Sequence, residues 1–69
     1  MIYVDFSVLD SILTHWEIKD CMDQYREWLE LNAGVEEQAW KWNRGDLTAR
    51  GVYIQDHQVA LMLRLKFGL

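Results

Sequence analysis

The spacing of apolar residues changes twice along the chain, and each change predicts an element boundary. Ile2 to Phe6 alternates β-forming and polar positions, which predicts a short first strand. Ser7 then offers an N-cap with Asp10 three residues on, an acidic version of a capping box. A short helix is predicted over 7–13, with Val8, Leu9, Ile12 and Leu13 as its apolar set.

One helix running on to Asn32 would need a single apolar face. At about 100° per residue, Ile18, Cys21, Met22, Tyr25, Trp28 and Leu29 fall within roughly 120°. In the same frame Val8, Leu9, Ile12 and Trp16 fall on the far side, so a straight helix cannot bury both sets. The break has its own signature. Thr14-His15-Trp16-Glu17 is a T-x-x-E capping box, with Leu13 and Ile18 at the hydrophobic-staple positions. The main helix is therefore predicted from about His15 to Asn32, ended by Ala33-Gly34, where Gly34 suits a left-handed C-cap.

Beyond Gly34 the period becomes two. Gln38 to Asn43 alternates around Trp40 and Trp42, and Asn43-Arg44-Gly45-Asp46 reads as a tight turn. Leu47 to Gln55 reads as a further strand, kinked or bulged at Gly51. Asp56-His57 marks another connection. Val59, Leu61, Leu63, Leu65 and Phe67 then alternate with Ala60, Met62, Arg64 and Lys66, which predicts a last strand. The resulting order, β-α-α-β-β-β, implies an α+β domain: a small antiparallel sheet of three to four strands with two helices on one face.

Length and composition narrow the class. Sixty-nine residues leave room for one domain, and 51% apolar content with 26% charged residues argues against disorder. A chain this short builds a thin core, to which four Trp, three Tyr and two Phe add area. The lone Cys21 makes no internal disulfide, as expected in a reducing compartment. The acid-interrupted N-terminus is not a signal peptide, and Val59 to Leu63, five residues, is the longest apolar run. A cytoplasmic protein without membrane contact is the expectation.

Charge is divided unevenly. Residues 1–37 carry nine acids against Lys19 and Arg26, a net of −7; residues 38–69 carry five bases against Asp46 and Asp56, a net of +3. Asp20, Asp23, Glu27 and Glu30 line one stripe of the main helix, opposite its apolar face. A charged outer face is what any amphipathic helix needs. Clustered like charges nevertheless cost a few tenths of a kcal/mol per pair, and an acidic strip can steer a protein onto a basic surface.

Candidates for catalysis are sparse. Cys21 lies in the apolar arc, where cysteine is usually a small core residue. One Cys and two His, at 15 and 57, lack the spacing of a structural zinc site. No phosphate-loop, dinucleotide, metalloprotease or nucleophile-elbow motif occurs. Exposed acids in a stripe lack the burial that tunes a carboxyl for proton transfer. Arg44-Gly45-Asp46 matches an integrin-binding tripeptide, but three residues match by chance and the turn explains the glycine. The expectation is a protein without catalytic activity, cofactor or metal.

The preferred reading is thus a non-enzymatic module that binds a basic surface of a partner protein. Asp20, Asp23, Glu27 and Glu30 would make first contact, with Trp16, Trp40 and Trp42 as anchors. Small, acidic, motif-free chains occur among phage-encoded inhibitors of host proteins, which makes an inhibitor the favoured version by class analogy alone. A second reading is a homodimer or larger homo-oligomer using an open sheet face that carries Ala60 and Met62. A third is weak single-stranded nucleic-acid binding, with Lys41, Arg64 and Lys66 beside Trp40, Trp42 and Tyr53 on the C-terminal sheet. The acidic balance, pI 4.9, disfavours that third reading.

Overall fold

Capping decides where the main helix starts. In the computed structural model, which describes residues 1–45 and 48–69, the Thr14 side chain accepts the Glu17 N–H while the Glu17 carboxylate accepts the Thr14 N–H at 3.0 Å. From that reciprocal box α1 runs His15–Asn32, the bounds its sequence predicts. Gly34, at φ +126°, turns the chain out of the helix and donates to the Leu29 carbonyl. The box also has an electrostatic consequence. The Thr14 backbone N–H, and after it the Thr14 side chain, hold the Glu17 carboxyl below its ordinary value of 4.5. A lowered folded-state value means the contribution is present above the unfolded carboxylate range and is lost as pH falls through the folded one. Thr14→Ala is expected to cost about 1 kcal/mol. Its urea midpoint should fall at neutral and acid pH alike, because the lost Thr14 Oγ1 acceptor does not titrate, whereas Glu17→Gln should fall at neutral pH and converge on the wild type in acid.

Before α1 the chain holds β1 (Ile2–Asp5) and a single 3-10 turn at Ser7–Ser11, not the regular helix predicted over 7–13. Ser7 is not its cap. Asp5 takes the local hydrogen bond instead, accepting the Ser7 N–H at 2.6 Å, and that backbone donor, followed by the Ser7 side chain, lowers the Asp5 carboxyl. None of the five residues of the turn is buried, so nothing extends it.

After α1 come β2 (Trp40–Arg44) and β3 (Ala49–Ile54), which form an antiparallel sheet with β1 in the order β1-β3-β2. The strand predicted from Gln38 starts two residues later, because Gln38 and Ala39 lie in a turn whose N–H groups both donate to the Val35 carbonyl. Of the turn predicted at Asn43–Asp46, Asn43 and Arg44 belong instead to β2, paired with Gly51 and Ala49, while Asp46 and the strand start at Leu47 lie outside the described residues. Register places Ile2, Ile54 and Trp40 in one row and Val4, Val52 and Trp42 in the next. Those rows form the inner face. Tyr3, Tyr53 and Lys41 pair on the outer face, where the two tyrosine rings lie 4.9 Å apart. The kink or bulge expected at Gly51 falls beside it: the register shifts between Asn43 and Arg44, which pair with Gly51 and Ala49 and leave Arg50 between them. Gly51 itself is needed for a different reason, since a Cβ there would collide with the Tyr3 ring.

The largest departure from the sequence reading is the last element. Val59 to Phe67 is not a strand but part of α2 (His57–Phe67). Asp56 caps it, accepting the Gln58 and Val59 N–H groups, and Gly68, at φ +69°, closes it. The order is therefore strand, 3-10 turn, helix, two strands, helix. Ala60 and Met62 accordingly lie on a helix, not on an open sheet face: Ala60 is buried, Met62 exposed. The sheet has three strands, and the residues buried by α1 (Ile18, Met22, Tyr25, Leu29) and α2 (Val59, Ala60, Leu63) join its inner face in one core. Among the described residues, no helix is long and apolar enough to cross a membrane.

Candidate functional site

The core arc of α1 fixes what the helix shows to solvent. With Ile18, Met22, Tyr25 and Leu29 buried, Asp20, Asp23, Glu27 and Glu30 are all exposed on the opposite side. Trp16 joins them. The series 16, 20, 23, 27, 30 advances in steps of four and three, which keeps five side chains on one side of a helix. Trp16 is 67% exposed, with the His15 ring at 5.0 Å and the Lys19 ammonium 5.4 Å over its face.

Charge along the stripe is only partly compensated. Arg26 lies 3.6 Å from Asp23 and 3.9 Å from Glu36, while its guanidinium also lies over the Trp42 ring. Asp20, Glu27 and Glu30 make no ion pair among the described residues. Lys19 leans on Trp16, so the strip stays negative with one large ring at its N-terminal end.

The other two tryptophans named by the sequence are not surface groups. Trp40 is fully buried and Trp42 nearly so, their rings meeting edge-on at 5.2 Å. The Trp40 Nε1–H donates to the Gly34 carbonyl at 2.9 Å, whereas the buried Trp42 Nε1 has no partner among the described residues. Neither can anchor a partner. Alternation explains this, because positions 40 and 42 face the helices and Lys41 faces outward beneath Tyr53. The basic, aromatic sheet surface expected for nucleic acid is likewise not assembled: Arg64 and Lys66 sit on α2, away from Lys41 and Tyr53.

The sequence reading did not single out the exposure of Leu31, Leu61 or Leu65. Leu31, 81% exposed, falls outside the apolar arc of α1, a signal that was available in its helical phase. Leu61, Met62 and Leu65 line the outward side of α2. An open cleft of about 240 Å³ between the helices is lined by Gln24, Glu27, Trp28, Leu31, Lys66 and Phe67. A second, of about 270 Å³, is lined by Lys19, Met22, Asp23, Arg26 and Arg44.

Reactive groups are not gathered. Cys21 is half-buried beside the core. Burial, with Cys21 adding to it, pushes the Tyr25 hydroxyl up to about 12, so it carries its proton across the neutral range. No cluster of three or more His, Cys, Asp or Glu side chains suited to a metal occurs among the described residues. Comparison with protein-family models, characterised proteins and solved structures finds no match.

Proposed function

We propose that the chain is a non-enzymatic binding module whose α1 outer side docks onto a basic surface of a partner protein. The observation that carries this is the alignment of an exposed Trp16 with Asp20, Asp23, Glu27 and Glu30 on one rigid helix. The division of labour follows from physics. Three uncompensated carboxylates and a partly compensated fourth raise the encounter rate and reject acidic surfaces. A tryptophan buries a large area at the cost of only two side-chain torsions, which is why such rings dominate interface energies. Occupying a basic surface displaces whatever acidic ligand that surface serves, so the module acts as an inhibitor or modulator of its partner.

Affinity capture with the tagged protein at low and moderate salt tests the proposal. One dominant basic partner, released as salt rises, is the expected result. Trp16→Ala should then weaken binding by about tenfold or more without altering the circular-dichroism spectrum. Replacing the four stripe acids by Asn or Gln should slow association and flatten its salt dependence. Variants that bind the captured partner with unchanged affinity, on-rate and salt response would overturn the assignment to this side of α1.

A further inference from the structure

We propose that the cleft between α1 and the end of β2 is an anion site for a phosphate group, held by the guanidinium groups of Arg26 and Arg44. The alternation that turns Trp40 and Trp42 toward the helices carries Arg44, the last residue of β2, to the same side of the sheet. A cation thus stands where the inner row calls for an apolar side chain, opposite the small, buried Ala49. Lys19, Met22, Asp23 and Arg26 of α1 complete a cleft of about 270 Å³. That lies just below the roughly 300–1,000 Å³ of drug-sized sites, which suits one small ion or one charged group of a ligand.

The two walls are tied together. The Met22 sulfur accepts the Ala49 N–H at 3.5 Å, and Ala49 pairs with Arg44 across the sheet. Arg26 is held in place as well, its guanidinium 5.8 Å over the Trp42 ring with Asp23 and Glu36 at 3.6 and 3.9 Å. Both carboxylates stand beyond hydrogen-bond distance. Stacking occupies the face of a guanidinium and leaves its in-plane N–H groups to donate. Lys19, whose ammonium rests 5.4 Å over Trp16, adds charge at the rim rather than a hydrogen bond.

Charge decides the class of ligand. Three of the seven cations of the chain line this cleft against one carboxylate, Asp23. With Glu36 counted for its approach to Arg26, the surroundings hold +1 among the described residues, in a chain of −4. The cleft is therefore a local reversal of the field of the whole molecule. Two guanidinium forks from opposite walls suit the several oxygens of a tetrahedral phosphate, which takes charge-assisted hydrogen bonds from both. A carboxylate brings one charge and two oxygens in a plane, enough for one fork. Asp23 has two effects: it positions Arg26, and it subtracts from the attraction for an anion.

Proton–nitrogen correlation NMR of the full chain tests this, with inorganic phosphate and phenyl phosphate titrated at neutral pH and ionic strength held constant with sodium chloride. Saturable shifts are expected at the amides of Lys19, Asp23, Arg26 and Arg44 and at the Trp42 indole, with millimolar affinity. Shifts with inorganic phosphate alone assign a free ion, and shifts with phenyl phosphate as well assign the phosphate group of a larger ligand; either supports the site. Arg44→Gln should weaken binding about tenfold, the loss of one charge-assisted contact. Asp23→Asn should tighten it severalfold, a gain that loss of structure does not produce. Arg64→Gln, on α2, should leave it unchanged. Equal shifts with acetate, no saturation by tens of millimolar phosphate, or an affinity indifferent to Arg44→Gln and Asp23→Asn would overturn the site. The titration needs no partner protein and Arg44 lies off the α1 stripe, so the two proposals succeed or fail separately.

Discussion

Trp40→Ala is expected to abolish cooperative unfolding altogether. Trp40 is 0% exposed, sits across from Ile54 in the sheet, and meets Trp42 edge-on. It also pins the segment that leads from α1 into β2. Its indole N–H holds the Gly34 carbonyl, its own carbonyl accepts the Glu37 N–H at 2.6 Å, and Glu37 sits at φ +72° within that segment. Removing the ring costs about 3–5 kcal/mol for the transfer and cavity together, and the orphaned Gly34 carbonyl adds roughly 1 kcal/mol. A chain of this length has only about 3–10 kcal/mol to lose. The expected readout is a flat near-ultraviolet spectrum and no sigmoidal urea curve. Trp40→Phe keeps most of the volume and should retain a two-state transition at a lower urea midpoint. It should also leave partner binding unchanged while Trp16→Ala removes it, because one ring lies in the core and the other in solvent. A Trp40→Ala protein that unfolds near the wild-type midpoint would contradict this account of the core.

Legibility in the sequence followed the strength of local signals. α1 was readable to its ends because two rules agreed: the T-x-x-E box at Thr14 and the phase break between the sets around Ile12 and Ile18. β1, β2 and β3 were readable from alternation, to within two residues at their ends. The side of α1 on which the stripe acids lie followed from its helical phase. The failure at α2 has an instructive cause. When both sides of a helix are apolar, positions i, i+2 and i+4 all carry hydrophobes and mimic a strand. Val59, Leu61, Leu63, Leu65 and Phe67 did so here. The counter-signals were present: Asp56 as N-cap, cations in the last turn, Gly68 after it, and Leu and Met where β-branched residues would favour a strand. That misreading carried the others. It moved Met62 onto a sheet that does not extend so far. Placed as a helix, α2 adds Val59, Ala60 and Leu63 to the core in which both rings are buried.

Alanine substitutions along α2 should separate the leucines sharply. On a strand, Leu61, Leu63 and Leu65 would share a face and cost alike. On the helix only Leu63 enters the core, at 0% exposure, while Leu61 and Leu65 point outward. Leu63→Ala is expected to cost about 3–4 kcal/mol, because a fully buried leucine leaves a cavity that the surrounding side chains cannot fill. In so small a domain that consumes a third or more of the total stability and puts part of the population in the unfolded state at 37 °C. Leu61→Ala and Leu65→Ala should lie within about 0.5 kcal/mol of the wild type, since alanine's helix preference offsets the little burial lost. Urea titrations by tryptophan fluorescence give the comparison. Equal losses at positions 61, 63 and 65 would return the segment to a strand.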